Sequence, residues 1–438
     1  MTHIFKWLIG TIVICAGAFG ISWGLSMPQE AQRGAWKSET GGMILNVTQW
    51  RATAYRQSSI SCLETVAFPT HMQLIELLEG ATIETVGEQL SLSIDSSLEP
   101  TMFDRLPKLP ADCKKADPAT ATAAQTFDAF WAAMSEQYAF FDLHGVDWDA
   151  RRALAPAPNA SDADLAAAML AAAKGLDDGH IHFGTDGNWH SPAKPPAWMV
   201  DYENLNRPFL SRTAQSASGA TIARHAAAPI IFGMRPDGIG YIQIIEMDIE
   251  TAFGEKLAPA AARAFGQVLS ELSDAKSLII DVRYNPGGSD SVAFGIASHF
   301  AETAVPVFSK SSRAGDGQGT AYDAILEPFD TTPNDKPVIL LTSNLTGSAA
   351  EIFTLAMKDL PQVTVMGEPT SGGLSDVLGF TLPNGWSLGL SNQTYIAADG
   401  NLYEGVGIPP DVPARFDGAS LSAGQDSVLA AAISLADL

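Results

Sequence analysis

Ser348 is the first residue whose type and setting could support chemistry. It lies in the segment TGSAAE at 346–351, between the apolar run 338–341, which predicts a buried strand, and a stretch with helical spacing. A serine at a helix start lies beside unpaired backbone N–H groups and the positive end of the helix dipole, where an oxyanion is stabilised. Ser348 and Glu351, three residues apart, also fit a helix-capping box. The local pattern therefore leaves two interpretations open, a nucleophile and a helix cap.

Ser387 is a second serine in a motif associated with catalysis. The segment GWSLG at 385–389 matches the GxSxG nucleophile elbow, which works only on a sharp turn from a strand into a helix. Here an Asn384-Gly385 pair precedes the serine, and the alternating run 388–392 follows it. This pattern predicts a hairpin, so we expect Ser387 to be an ordinary strand residue.

A glycine-rich turn could bind an anion. Asn285-Pro286-Gly287-Gly288 directly follows the predicted strand 278–283, and two glycines allow backbone N–H groups to approach a ligand closely. Taken alone, this segment predicts a tight strand-to-helix turn, with anion binding as the alternative.

The elements that would position these residues form an alternating pattern. Strands are predicted at 239–246, 277–283, 337–342 and 363–367, and helices near 250–274, 289–301 and 348–360. Alternating strands and helices indicate a largely parallel sheet covered by helices. We therefore predict an α/β core over residues 236–415, followed by a C-terminal tail at 416–438.

The preceding chain divides into three parts. Residues 29–115 are predicted to form a small β-rich domain, because 43–55 and 72–94 alternate apolar and polar residues, and 106–110 is typical of a linker. Residues 116–185 have helical spacing and end in DDGHIHF at 177–183. Residues 186–235 are predicted to be an irregular connection, too short for an inserted PDZ-sized domain.

Composition excludes several classes of function. Hydrophobic residues make up 46% of the 438 residues, which is typical of a globular protein. Lysine and arginine total 26 against 49 aspartate and glutamate residues, so the net charge is −23. A chain this acidic is not suited to neutralise phosphates, and we exclude nucleic acids and anionic membrane surfaces as main partners.

The N-terminus and the cysteines indicate an oxidising compartment. Lys6 is followed by an uncharged stretch at 7–27, so residues 1–28 are predicted to be a signal peptide or, alternatively, a membrane anchor. With Cys15 inside that stretch, Cys62 and Cys113 remain as an even pair. In an exported protein they are predicted to form a disulfide, with two buried thiols as the alternative. The cysteines and histidines lack zinc spacing, and no metal is predicted.

Four segments appear in a characteristic order along the second half of the chain. They are SLIIDVRYNPGG at 277–288, TGSAAEIFTLAMKDL at 346–360, VTVMGEPTSGG at 363–373 and YEGVGIPPDV at 403–412. In order and spacing they resemble the catalytic core of the tricorn and C-terminal processing peptidase family of serine peptidases. The helical region ending in DDGHIHF resembles the segment that precedes that core. The resemblance implies a crotonase-like α/β core and a nucleophilic Ser348.

The resemblance also identifies a general base by exclusion of one branch of the family. In the processing-peptidase branch a lysine lies twenty-five positions after the serine; that position is Gly373 here, and no lysine follows Lys358. The tricorn branch resembles this chain in a histidine after Asp-Gly, here His180, and in a downstream glutamate, here Glu404.

In that branch His180 would take the proton of Ser348, and Glu404 would orient or polarise the site. The implied oxyanion donors are the N–H of Ala349 and that of Gly287 or Gly288. The tricorn pattern has a linking serine just before the histidine, where this chain has Gly179.

Taken together, the sequence predicts an exported serine peptidase that acts on peptides or proteins without a metal or organic cofactor. Two alternatives remain. One is a non-catalytic protein that binds apolar ligands on the same fold, and the other is an esterase or amidase for small molecules.

Overall fold

The computed structural model describes residues 28–69, 80–202, 204–252, 254–314, 317–329 and 333–437. The predicted signal or anchor lies outside these residues except for Pro28, as do positions 72–79 of the predicted alternating run. Among the described residues no helix combines the length and apolar character needed to cross a bilayer.

The N-terminal region folds into one sheet. Its apolar side chains, among them Trp36, Leu45 and Phe103, pack together in one core and are almost fully buried. Its strands run in the order β5-β6-β7-β1-β2-β3-β4-β8. Their bounds are Gly34–Ser38 (β1), Met43–Val47 (β2), Arg51–Gln57 (β3), Cys62–Pro69 (β4), Ala81–Val86 (β5), Gln89–Ile94 (β6), Thr101–Leu106 (β7) and Cys113–Lys114 (β8). A short 3-10 turn at Glu30–Gln32 precedes them.

The predicted linker at 106–110 does not end this region. The chain after it forms β8, which pairs in parallel with β4, with Cys62 opposite Cys113. The proline-containing run is a loop that carries the chain back to the far edge of the sheet, and local turn residues cannot reveal where a loop leads. Cys62 and Cys113 are joined in a disulfide in this structure.

We expect this disulfide to be present in protein taken from its native compartment. The bridge closes a loop with a sequence separation of 51. By chain entropy, such a loop stabilises the N-terminal sheet by up to about 4 kcal/mol. Mass spectrometry after alkylation without reductant measures this directly, and two alkylated thiols at Cys62 and Cys113 would contradict the expectation.

A helical unit follows and surrounds an aromatic core. Phe127, Phe130 and Met134 lie at helical spacing on its first helix and are fully buried, as that spacing predicts. Its helices are Ala123–Gln137 (α1), Phe141–His144 (α2), Trp148–Arg151 (α3) and Asp162–Ala173 (α4), with a 3-10 turn at Arg152–Leu154. The chain then enters the hairpin His182–Thr185 (β9) and Asn188–His190 (β10).

The connection predicted to be irregular contains regular structure. After a 3-10 turn at Ala197–Met199 it forms the helix Arg207–Ala217 (α5) and the strands Thr221–Arg224 (β11) and Ile230–Met234 (β12). Strand β11 is exposed along its whole length, so it lacks the alternation by which a strand is recognised. The prediction of an irregular connection was therefore wrong.

The predicted α/β alternation is confirmed in the core. A seven-stranded sheet has the order β11-β12-β13-β14-β18-β19-β23, in which the last five strands are parallel to one another. The elements from β13 to β18 are Ile239–Ile244 (β13), Leu257–Glu271 (α6), Ser277–Asp281 (β14), Asp290–Ala297 (α7), Val305–Ala314 (β15), Gly317–Gln318 (β16), Tyr322–Leu326 (β17) and Val338–Thr342 (β18). Those that follow are Ala349–Lys358 (α8), Val363–Gly367 (β19), Val377–Thr381 (β20), Ser387–Ser391 (β21), Gln393–Ala397 (β22) and Val412–Pro413 (β23).

Two smaller sheets complete the frame around the core. Strands β20 and β21 form the hairpin predicted at Asn384-Gly385, and β21 pairs with β9, which connects the hairpin to the helical unit. Strand β15 pairs with β16, β17 and β22.

The C-terminal residues pack on the core and are more than a tail. They form the helices Gly418–Ser422 (α9) and Ser427–Ala436 (α10), and Leu429 and Ala432 are fully buried. Asp426 pairs with the fully buried Arg283, Oδ1 to Nη1 at 2.8 Å, and Arg283 also forms a two-pronged pair with Asp281. The alanine-rich sequence gives no local sign of this long-range ion pair.

Candidate functional site

Ser348 immediately precedes α8, as the sequence predicts, and its backbone is unusual. Its φ is 51° and its ψ is −126°, a conformation that non-glycine residues rarely adopt. Among the described non-glycine residues, only Asp177 (φ 44°) shares a positive φ, and Asp177 lies in the DDGH segment. Such strain is retained where the surroundings impose it, often at active sites.

Glu351 does more than cap the helix. Its buried carboxylate accepts the backbone N–H of Ser348 at 3.1 Å, while the Ser348 hydroxyl makes no cap hydrogen bond. The same carboxylate holds the loop 370–373 through four further donors: Thr370 Oγ1, Ser371 Oγ, and the N–H groups of Gly372 and Gly373. Burial raises the pKa of Glu351, and these hydrogen bonds oppose the rise. Glu351 thus fixes the loop next to Ser348, a role that the capping pattern alone did not reveal.

The glycine turn lies directly against Ser348. Gly287 has a φ of 117°, and a Cβ on it would lie 2.6 Å from the Ser348 Cβ, so only glycine fits. The Gly287 N–H donates to Asn285 Oδ1 at 2.8 Å. Within the described chain, the N–H groups of Gly288 and Ala349 have no hydrogen-bond acceptor. The N–H groups of Gly288 and Ala349 are therefore available to a ligand, whereas that of Gly287 is already bonded.

His180 lies in the turn between α4 and β9, beside the loop that is bonded to Ser348. Its Cε1 is 3.8 Å from the position that a Cβ on Gly373 would occupy. The carbonyl oxygen of Gly373 accepts the N–H of Ser348 at 3.1 Å. The imidazole therefore borders the position at which the processing-peptidase branch has its lysine.

The surroundings of His180 favour a neutral imidazole. Burial lowers the pKa of His180, and the carboxylates of Asp178 and Asp376 oppose this without reversing it. A neutral imidazole at pH 7 can accept a proton, as a general base must.

His182 belongs to the structural frame. It begins β9, its Nδ1 lies 3.0 Å from the His180 carbonyl oxygen, and its ring packs edge-on against Trp189. A Cβ on Gly389 of β21 would lie only 2.3 Å from its Cε1, so the ring fills the space above that glycine. Ser387 lies within β21, as expected for an ordinary strand residue.

Glu404 is buried and holds a loop. Its Oε2 accepts the N–H groups of Leu374 and Ser375 at 2.9 and 3.0 Å. Burial, together with the nearby carboxylates of Asp178 and Glu351, raises the pKa of Glu404 well above its usual range. Glu404 therefore lies near the site, as the resemblance implies, and its observed contacts are to the backbone of 374–375.

Lys310 is a buried lysine near the site, but it is not suited to act as a base. Its Nζ lies 3.0 Å from Asp376 and 3.4 Å from Glu99. Burial alone would lower the pKa of Lys310, yet the carboxylates of Asp376, Glu99 and Asp290 raise it above the ordinary value. The lysine stays protonated and joins the loop between β6 and β7 of the N-terminal sheet to the core.

A cavity of about 430 Å³ lies between the N-terminal sheet and the core. Ser348 and Gly288 line one side, and Arg56 and Thr101 of the sheet line the other. This volume lies in the range of about 300–1,000 Å³ that is usual for ligand sites. Ser348 and Gly288 thus face a space of the size usual for a ligand site.

Two protein-family models match the chain. The model of peptidase family S41 matches residues 238–414, and the tricorn protease C1 domain model matches residues 119–153. The first range contains Gly288, Ser348 and Glu404, and the second contains α1, whereas His180 lies between the two ranges.

Curated relatives are similar over the same core. A carboxy-terminal-processing protease of Bartonella bacilliformis is 26% identical over 198 residues, which cover 43% of each chain. The carboxy-terminal processing protease CtpA of Bacillus subtilis is 27% identical over 183 residues, covering 42% of this chain and 36% of that protein. The matched part thus spans less than half the length of these relatives.

Solved structures extend the similarity beyond the core. A candidate peptidase from Parabacteroides merdae is 27% identical, with a TM-score of 0.61, and the match covers 72% of this chain and 97% of that one. Mature CPAF in complex with lactacystin matches the same share of this chain with a TM-score of 0.52 at 13% identity, which is a likeness of fold alone.

Proposed function

We propose that this chain is a serine peptidase that hydrolyses peptide bonds in peptide or protein substrates, in keeping with the match of residues 238–414 to the model of peptidase family S41. The observation that carries the proposal is the geometry at Ser348. Its strained backbone precedes α8 between two unpaired N–H groups, with a neutral imidazole beside the adjoining loop.

The proposed reaction uses these groups in a fixed order. The Ser348 hydroxyl attacks the substrate carbonyl while His180 takes its proton, and the N–H groups of Gly288 and Ala349 stabilise the oxyanion that forms. His180 then gives the proton to the leaving amine, which leaves an acyl-enzyme. Water, deprotonated by the same imidazole, releases the acid and restores Ser348. Glu404 supports this site through the loop that it holds.

The setting of the site supports a substrate that contacts both parts of the chain. The cavity is bounded by the N-terminal sheet on one side and the core on the other, so a substrate that reaches Ser348 through it lies between them. We assign the core to the crotonase-like folds. We also propose that residues 1–28 direct export, which agrees with a disulfide between Cys62 and Cys113.

Labelling with a fluorophosphonate probe, combined with a peptide library, tests the proposal. We expect the probe to modify Ser348 and the library to show cleaved peptides, and the matched Ser387→Ala variant should be modified to the same extent. Folded protein that resists the probe and binds apolar ligands would instead be the non-catalytic binding protein. Probe modification with turnover of small esters or amides alone would indicate the esterase or amidase.

A further inference from the structure

We propose that Asp178 is the residue that positions His180, the role that the resemblance assigns to Glu404. The inference rests on the proposed function, because it concerns the orientation of the general base of that reaction.

Asp178 is held against His180 by the backbone. Its Oδ1 accepts the backbone N–H of His180 at 2.8 Å, and the residue is only 6% exposed. Its other oxygen, Oδ2, has no hydrogen-bond partner among the described residues, and the same is true of the buried Nδ1 of His180. Unpaired buried polar atoms are rare, and here a carboxylate oxygen and an imidazole nitrogen are left unpaired two residues apart. Catalytic hydrogen bonds often form fully only when substrate binds, and we expect the bond between these two atoms to form in that complex.

The negative charge of Asp178 favours the protonated form of His180, as a residue that positions a general base should. Of the charged groups near His180, Asp178 has the largest effect, and it raises the pKa of His180 against the effect of burial. A group that favours the protonated imidazole also stabilises the imidazolium that forms when Ser348 loses its proton. An Nδ1–H bonded to Asp178 would leave Nε2 free to accept that proton.

Glu404 is less suited to this role. Its Oε2 already accepts two backbone N–H groups of the loop 374–375. Burial raises the pKa of Glu404 well above its usual range, which favours the neutral carboxyl group, and a neutral carboxyl group stabilises an imidazolium far less than a carboxylate does. Glu404 therefore has a structural contact that explains its burial without a bond to His180.

Tyr138 offers the hydroxyl that Gly179 cannot supply. The tyrosine follows α1, and its buried hydroxyl has no hydrogen-bond partner within the described ranges. Burial and the nearby carboxylates of Asp178 and Glu404 raise the pKa of Tyr138 far above its usual value. The phenol thus stays protonated as a possible donor to Asp178, which would keep that carboxylate in place.

The test compares Asp178→Asn with Glu404→Gln and with the matched control Asp177→Asn. Asparagine at 178 keeps an acceptor for the His180 N–H, and Asp177 is an exposed neighbour that forms an ion pair with Lys194. We expect Asp178→Asn to reduce kcat by about 10⁴-fold, as for an Asp-to-Asn change in a well-studied triad. KM should change little, and the acidic limb of kcat/KM should move to lower pH, because a charge that raises the pKa of His180 is removed. Asp177→Asn should keep the wild-type pH profile.

A wild-type pH profile and kcat in Asp178→Asn, with a displaced acidic limb in Glu404→Gln, would overturn the proposal. If Asp178→Asn does not fold, the proposal can be tested by NMR of wild-type protein labelled with ¹⁵N-histidine. The proposal requires the neutral His180 to carry its proton on Nδ1, and a proton on Nε2 would refute it. Fluorophosphonate labelling of wild-type Ser348 separates this outcome from a failure of the proposed function.

Discussion

Ser348→Ala should reduce kcat by about a millionfold, the loss measured when a triad serine is removed from a well-studied peptidase. The alanine keeps the helix start and the backbone N–H groups of Gly288 and Ala349, so the oxyanion site survives while the attacking oxygen is lost. Hydrolysis of the best library peptide, followed over days at high enzyme concentration, measures the residual rate. Thermal unfolding should change little, because the Ser348 hydroxyl makes no cap hydrogen bond.

The matched control for this experiment is Ser387→Ala. Ser387 lies on β21 within an ordinary antiparallel pair, so its variant should retain most of the wild-type activity. Full activity in Ser348→Ala would refute the assignment of the nucleophile, and loss of activity only in Ser387→Ala would transfer that role to the GxSxG motif.

His180→Ala should be nearly as damaging as Ser348→Ala, because a nucleophile and its base act as one unit. For the same reason the double variant should be hardly slower than either single variant. In wild-type protein, kcat/KM should rise with pH through the pKa of His180. Burial lowers that pKa below the ordinary value of 6.5, so the acidic limb should lie below pH 6.5. A pH series with buffers of constant ionic strength measures the limb.

His182→Ala is the control for His180→Ala. The His182 ring packs against Gly389 and Trp189, so its removal should reduce stability and leave kcat within about tenfold of wild type. Should His182→Ala abolish turnover in a folded protein while His180→Ala is mild, the base has been assigned to the wrong histidine. An acidic limb well above pH 7 would show that the imidazole is not held neutral as its burial requires.

Features that depend on residues close together in the chain could be predicted from the sequence. Alternation of strands and helices predicted the parallel core, and the Asn384-Gly385 turn predicted the hairpin that makes Ser387 a strand residue. Ser348 was found by its place between a strand and a helix, although the local pattern alone could not distinguish a nucleophile from a cap. The difference lies in its φ of 51° and in the unpaired N–H groups around it, which are properties of the folded chain.

Features that depend on distant contacts could not be predicted. His180 was identified through a resemblance, since no local pattern links a turn at 177–180 to a helix start at 348. The loop function of Glu351 and the pairing of β8 with β4 arise between segments well separated in sequence. Arg283 and Asp426 are 143 residues apart, and an isolated aspartate before an alanine-rich helix is typical of an ordinary cap.

The Arg283–Asp426 pair has a consequence for the order in which the protein becomes active during synthesis. Arg283 stands directly before the turn that carries Gly288, and its buried guanidinium lacks one of its two carboxylate partners until residue 426 has left the ribosome. Breaking such a buried pair typically costs about 3–5 kcal/mol. Ser348 and His180 lie earlier in the chain, so the nucleophile and base of the proposed reaction are synthesised before the partner that completes this part of the core. We therefore expect little hydrolysis by a chain whose residue 426 has not yet joined the fold.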